Sequence, residues 1–556
     1  MNPSIIMHTI KGIIVDPVNR RTFNGAIQIK NGEVDAVTEV DGEVPRRFIM
    51  PGFVDSHIHI ESSMLVPSEF ARMAVHHGTV ATVSDPHEIA NVCGMEGVRF
   101  MIENGSRVPL KFYFGAPSCV PATPFETSGA VLDVDDVAQL LDRDDVLYLA
   151  EMMNWPGALQ RDEMVMAKIN AALERGKPVD GHAPGVTGSD ARRYAEAGIT
   201  TDHESSTLQE ARDKADAGMK VAIREGSAAK NFEALIPILG ERPEMVMFCS
   251  DDKHPDDLLE GHINQLAARA VAKGYPLYDV LRACNVHAVE HYGLPVGLLQ
   301  PGDPADFVVV RDLTSFEVDE TWIEGECVYA DGNESFRVTE TEPINQFSGY
   351  ALSPEQFAIP ASSPDAPRAA VRVIVAEDGE LVTNEEIHRL PIKNGAIQAD
   401  PENDILKMVV VNRYQKAEPA VAFIRNFGMK SGAIASSVAH DSHNIIAVGC
   451  DDEAICRAVN ALMESGGGIS VADGDGVHTL ALPVGGLMST RPADEVGGAY
   501  KALTRRALDL GSTLNSPFMT ISFMALLVIP ALKLSDKGLF DGASFEFQML
   551  EVNDNE

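Results

Sequence analysis

The chain has 556 residues, 82 acidic against 45 basic, giving a formal net charge of −37 and an apolar fraction of 45%. At about 100–200 residues per domain the length implies two to four folded units, and the ordinary apolar fraction excludes a mainly disordered chain. The negative balance excludes a nucleic-acid polymer or an anionic membrane surface as partner, because both would be repelled. Only 17 of the basic residues are Lys. A Lys-poor acidic surface suits a saline habitat and is at least as often ordinary solvated acidity.

The N-terminal run Met1-Asn2-Pro3-Ser4-Ile5-Ile6-Met7-His8 lacks the basic region and apolar stretch of a secretory leader. Residues 1–50 read as short strands, Gly12-Ile13-Ile14-Val15 and Ala26-Ile27-Gln28-Ile29-Lys30, with a turn at Asn31-Gly32. The pattern returns in Ala305-Asp306-Phe307-Val308-Val309-Val310 and around Trp322 to Tyr329. Segments 1–50 and 294–340 are therefore expected to build one small β-sandwich domain from both sides of the intervening unit, the alternative being two unrelated β-pieces.

Residues 51–293 alternate apolar strand-like runs at 53–60, 79–85, 111–116, 146–152, 178–182, 198–203, 220–225 and 245–250 with helix-like runs such as 64–77, 88–104, 161–175 and 207–218. Eight repeats in this length predict an α/β fold of the (β/α)8 TIM-like barrel type. A doubly wound open sheet is the competitor, but neither G-x-G-x-x-G opening a helix nor G-x-x-x-x-G-K-[ST] is present. Residues 341–368, rich in Thr, Glu, Pro and Ser, read as a linker. Residues 369–556 read as a C-terminal α/β domain with strands near 408–411 and 420–424 and a helix at 452–465 ending at Gly466-Gly467-Gly468. The greasiest stretch, 523–534, is too short to span a bilayer and contains Pro530. Seven scattered cysteines without a C-x-x-C fit a reducing compartment. The expectation is a soluble, cytoplasmic protein.

Candidate chemistry collects at the strand ends. His57 and His59 lie two apart on the first strand and so share a face. The fourth strand carries Glu151, the fifth ends at His182, the sixth at His203, and the eighth at Ser250-Asp251-Asp252. In a barrel, functional groups come from the C-terminal ends of several strands, and a mixed N/O set without thiolates suits Zn²⁺, Fe²⁺ or Mn²⁺. The alternative is a set of hydrogen-bonded polar residues in a barrel mouth. His59-Ile60-Glu61 matches an H-x-E motif whose P-C-x-x-C partner is absent, and His87-Glu88-Ile89-Ala90-Asn91 departs from H-E-x-x-H at Asn91. His87 either lines the mouth or caps a helix. His440-Asp441-Ser442-His443 forms a polar cluster between apolar runs, read as a structural loop that could reach the mouth.

These residues resemble the amidohydrolase superfamily and, within it, the prokaryotic adenine deaminase family. The likeness rests on Pro51-Gly52-Phe53-Val54-Asp55-Ser56-His57-Ile58-His59-Ile60-Glu61-Ser62-Ser63, on Ser84-Asp85-Pro86-His87-Glu88-Ile89-Ala90-Asn91-Val92, and on Asp180-Gly181-His182-Ala183-Pro184-Gly185. Thr201-Asp202-His203-Glu204, Arg224-Glu225-Gly226-Ser227-Ala228-Ala229 and the Ser436 to Asn444 segment extend it over nearly the whole chain. Cys284-Asn285-Val286-His287-Ala288 departs from the expected T-x-N-P-A-like turn.

The resemblance implies two divalent metal ions, Mn²⁺ or Fe²⁺ before Zn²⁺. His57 and His59 would hold one ion and His182 and His203 the other. Glu151 would bridge in place of a carbamylated lysine, and Asp251 would bind metal and shuttle a proton. A one-residue shift would exchange Asp251 for Asp252. The implied reaction is hydrolytic deamination of adenine to hypoxanthine and ammonia in purine salvage, by metal-generated hydroxide at C6. His87, Glu204, His440 and His443 are the candidate substrate contacts, with Glu204 and His87 the candidates to protonate N1. A homodimer or larger homo-oligomer is expected. The alternatives are an amidohydrolase acting on a cyclic amide or another nucleobase, and a non-catalytic scaffold.

Overall fold

Apolar residues that alternate along the N-terminal segment (Ile27 and Ile29 buried, Lys30 exposed) pair it into a sheet. The computed structural model describes residues 7–552, so the leader reading at Met1 to Ile6 lies outside the described residues. Strands β1 (Met7–Asp16), β2 (Arg21–Lys30), β3 (Glu33–Glu39) and β4 (Phe48–Pro51) precede the central unit. A long central segment supplies eight parallel strands. These are β5 (Phe53–Ile58), β6 (Thr79–Ser84), β7 (Lys111–Ala116), β8 (Val146–Met152), β9 (Val179–Gly181), β10 (Thr201–Asp202), β11 (Lys220–Arg224) and β12 (Val246–Cys249). Strands β13 (Phe307–Val310), β14 (Val318–Ile323), β15 (Glu326–Ala330) and β16 (Asn333–Glu334) follow.

The flanking strands join in a single eight-stranded sheet, ordered β16-β15-β14-β13-β4-β1-β2-β3. The seam is the antiparallel pairing of β13 with β4, Phe307 opposite Pro51 and Val310 opposite Phe48. The ladder is one continuous sheet, β4 hydrogen-bonding on both edges, to β1 and to β13.

The eight central strands coincide with the eight apolar runs. β5–β9 form one parallel sheet and β10–β12 another. β5 and β6 are buried along their whole length, as expected of parallel strands covered on both faces. Thr200 N–H donates to Val179 O at 2.9 Å, linking the two sheets on one side. On the other, Asp251 N–H donates to His57 O at 2.9 Å. Helices Pro67–His76, His87–Gly105, Glu163–Leu173 and Leu208–Asp216 occupy the expected helical runs.

The C-terminal region contributes a ten-stranded sheet that begins at Ile359–Pro360 and ends at Gly476–Ala481. Helix Asp452–Ser465 lays Ile455, Val459 and Leu462 against Val409, Ala433 and Ile445. Gly466 stops it in the left-handed region (φ 74°). The segment read as a linker is packed onto this sheet: Leu352 and Phe357 join the same core cluster, and Ile359–Pro360 adds the edge strand. Its buried apolar side chains, Leu352, Phe357, Ile359 and Ala361, outweigh the polar composition that made it read as a linker. Among the described residues no helix is long and apolar enough to cross a membrane, and all seven cysteines are unpaired.

Candidate active site

His57 and His59 leave β5 on one face, and their Nε2 atoms approach to 3.2 Å. Asp251, two residues beyond β12, adopts left-handed backbone (φ 56°), which Asp tolerates better than most residues. Its Oδ1 lies 3.6 Å from His57 Nε2 and 3.3 Å from His59 Nε2. Its neighbour Asp252 accepts a hydrogen bond from Ser62 Oγ at 2.5 Å instead.

Glu151 of β8 sits between two histidine pairs. Its Oε2 lies 2.8 Å from His182 Nδ1 and 3.0 Å from His203 Nε2, while Oε1 lies 3.5 Å from His59 Nε2. The His57 and His203 rings stack at 3.9 Å. All six residues are buried. Burial alone would raise the Glu151 carboxyl, but His182 and His203 hold it well below the usual carboxylate range. Burial likewise opposes ionisation of Asp251, and hydrogen bonds from His57 and His59 with the charge of Arg224 hold it low.

Outer residues fix these groups. Arg224, from the end of β11, donates Nη1 to Asp251 Oδ2 at 2.8 Å and grips both oxygens of Glu204. Asp55 accepts from Ser250 N–H at 3.0 Å and lies 2.8 Å from His262 Nε2. The fully buried Lys214 donates to Asp202 Oδ1 (2.5 Å) and to Ala183 O (2.7 Å), tying the loop of His182 to that of His203.

The site opens onto a cavity of about 30 Å³ walled by His59, His87, Glu151, His182, His203, Glu204, Arg224, Asp251 and His440 and roofed by Leu381, Phe523, Leu526 and Ile529. His443 is not in that wall. Its Nε2 turns to Glu88, which also takes His440 Nδ1. Sequence reasoning assigned no role to Arg224 or Glu88, although both stand in the motif strings; the signal was a charged side chain at a strand end or helix start with no solvent-facing pattern around it.

The donor set fits a divalent cation. His57, His59 and Asp251 bring ligand atoms within 4.8 Å of one another, as do His57, Glu151 and His203, and His182, His203 and Glu204. His57 Nδ1 and His182 Nε2 are buried without hydrogen-bond partners. Imidazole and carboxylate ligands crowded without thiolate suit a borderline or hard divalent ion.

Histidines and carboxylates gathered at the ends of parallel strands define a metal-dependent hydrolase of the amidohydrolase class, and the amidohydrolase family model matches residues 48–328. The model of the adenine deaminase C-terminal domain matches residues 380–546. The chain is 55% identical to an adenine deaminase of Salinibacter ruber, covering 97% of this chain and 98% of that one. It is 52% identical to an adenine deaminase of Methanosarcina barkeri over 97% and 99% of the two chains. The chain belongs to the adenine deaminase family.

Proposed function

We propose that this protein hydrolyses adenine to hypoxanthine and ammonia in purine salvage. The observation that carries this is the position of Glu151, one carboxylate shared between two histidine pairs, in a chain of this family. In this reading His57, His59 and Asp251 would hold one divalent ion and His182 and His203 a second, with Glu151 available to both histidine pairs; Mn²⁺ or Fe²⁺ is favoured over Zn²⁺. When bound, such ions would lower the pKa of water toward about 7 and so supply a nucleophile at neutral pH.

The chain's own residues do the rest. Arg224 occupies Asp251 Oδ2, leaving Oδ1 on the histidine side to take a proton from water and pass it to the departing amino group. The apolar roof of Leu381, Phe523, Leu526 and Ile529 suits a flat neutral base and excludes water from it. In the same reading His87, Glu204 and His440 would contact that base, with His443 acting through Glu88.

The same reading takes β5–β12 as a closed (β/α)8 barrel spanning 51–293. The sheet from 1–50 and 294–340 curls beside it as a sandwich-like unit, and 369–556 is the C-terminal domain joined through 341–368. It further places the protein in the cytoplasm as a homodimer or larger homo-oligomer. The test is ammonia release by purified, metal-loaded protein from adenine, cytosine, guanine, dihydroorotate and hydantoin. Release from adenine alone is expected; an inert adenine with turnover of a cyclic amide would replace this reading with the amide hydrolase.

A further inference from the structure

Attack at C6 of adenine pushes the C6–N1 π pair onto N1, so a donor must face that nitrogen. The two residues that the sequence offers for this are committed elsewhere. Glu204 has both carboxylate oxygens on the Arg224 guanidinium. His87 has Nδ1 3.1 Å from Asp85 Oδ2 and Nε2 3.3 Å from Glu88 Oε1.

His440 is different. It is buried, lines the cavity, rests its Nδ1 on Glu88, and has no hydrogen-bond partner at Nε2. His443 explains its state. Ala439 N–H donates to His443 Nδ1 at 3.2 Å, so the His443 proton sits on Nε2 and is given to the other Glu88 oxygen. Burial lowers His443 to about 4, keeping it neutral. The negative charge of Glu88 then faces His440 Nδ1 and, at 3.3 Å, His87 Nε2. Although burial opposes it, the charges of Glu88 and Asp252 push His440 up to about 9. Phe523 stacks on the His440 ring at 4.5 Å and 6° and fixes its plane.

We propose, on the adenine-hydrolysis reading above, that His440 is a catalytic residue donating from Nε2 to purine N1, with Glu88 and His443 as the positioning residues that fix its tautomer and charge. As the C6–O bond forms, the Nε2 proton passes to N1, where it stays in hypoxanthine. One water proton leaves with ammonia through Asp251, the C6–N bond breaking with its electron pair on nitrogen; the other water proton restores His440.

The experiment uses the full-length, metal-loaded protein and the variants His440→Ala, His440→Gln and Glu88→Gln. In His440→Ala, kcat for adenine is expected to fall about 10²–10³-fold with KM within about fivefold and metal content unchanged. Wild type should bind 7-deazaadenine about 10–100-fold more tightly than 1-deazaadenine, a preference His440→Ala loses. His440→Gln, which keeps an N–H near the same place, should recover part of that preference. Glu88→Gln should lower kcat at least about tenfold, with the ¹⁵N signals of His440 changing from imidazolium to neutral imidazole at neutral pH. Should His440→Ala not fold, the Glu88→Gln signals and the wild-type deaza comparison decide. Wild-type kcat in a folded His440→Ala, or wild-type binding indifferent to N1, overturns the assignment of His440 while leaving adenine hydrolysis intact. No turnover of adenine by wild type overturns the hydrolysis reading and this assignment with it.

Discussion

His182 Nδ1 and His203 Nε2 reach the same Glu151 oxygen at 2.8 and 3.0 Å, so an imidazole lost there leaves the carboxylate half-partnered. His182→Ala is expected to cost several kcal/mol of transition-state stabilisation, about 10³-fold or more in ammonia release. The His182 ring lies at the cavity edge, so the thermal midpoint should stay close to wild type. Metal analysis and calorimetry of the same sample check this; full turnover would remove His182 from the ligand set. At this scale the sequence shows some residues and hides others for a physical reason. His57 and His59 are visible because extended backbone puts residues two apart on one face. Glu88 and His440 are 352 positions apart, and no local pattern along either segment announces that they meet. Arg224 ends an ordinary apolar strand, and only the neighbouring ends of β10 and β12 give it Glu204 and Asp251 to hold.

The roof is built from two elements pinned by one lysine. Lys533, fully buried in strand Leu532–Ser535, donates to Leu381 O at 2.6 Å and to Phe523 O at 3.0 Å, and both acceptors belong to roof residues. Burial lowers its pKa to about 7, against about 10.4 in an unfolded chain. Between these two values the unfolded state binds more protons than the folded one. Stability should therefore rise with pH from about 7 to about 10, by a few kcal/mol at most. Below pH 7 both states are protonated, and the cost of the buried charge is present in full. Urea titrations of wild type and Lys533→Met across that window check this; equal pH slopes in the two proteins would contradict it. The cavity beneath the roof, about 30 Å³, has room for a water or two and not for a purine. A larger pocket of about 450 Å³ shares Phe523 with it as a wall. The eight parallel strands were legible because apolar runs of that length have few alternatives. Which strands of the two flanking segments meet at the seam, β4 and β13, and the docking of Leu352 and Phe357 were not, since pairing partners and packing faces are set by tertiary contact rather than by composition.

Over the whole molecule, the charge of −37 divides into two populations. Carboxylates of the candidate site and its surroundings, among them Glu88, Glu151, Glu204, Asp251 and Asp441, are buried and face histidines, Arg224 and the proposed divalent ions. The larger population is solvated surface, which explains why the composition excluded polyanionic partners without naming a ligand. The segment between helix Pro517–Ser522 and strand Leu532–Ser535 and the strand-end cluster share one cavity: Phe523, Leu526 and Ile529 roof a site whose floor belongs to β5, β8 and the loops after β9, β10 and β12. This joint site is proposed to hydrolyse adenine around Glu151. The proposal is tested most directly by following hypoxanthine and ammonia from adenine with metal-loaded wild type and Glu151→Gln, metal content being measured in both. Equal amounts of the two products are expected from wild type, and in Glu151→Gln a folded protein with depleted metal and turnover lower by about 10³-fold or more. Unchanged adenine with wild type, or undiminished turnover in Glu151→Gln, would contradict it.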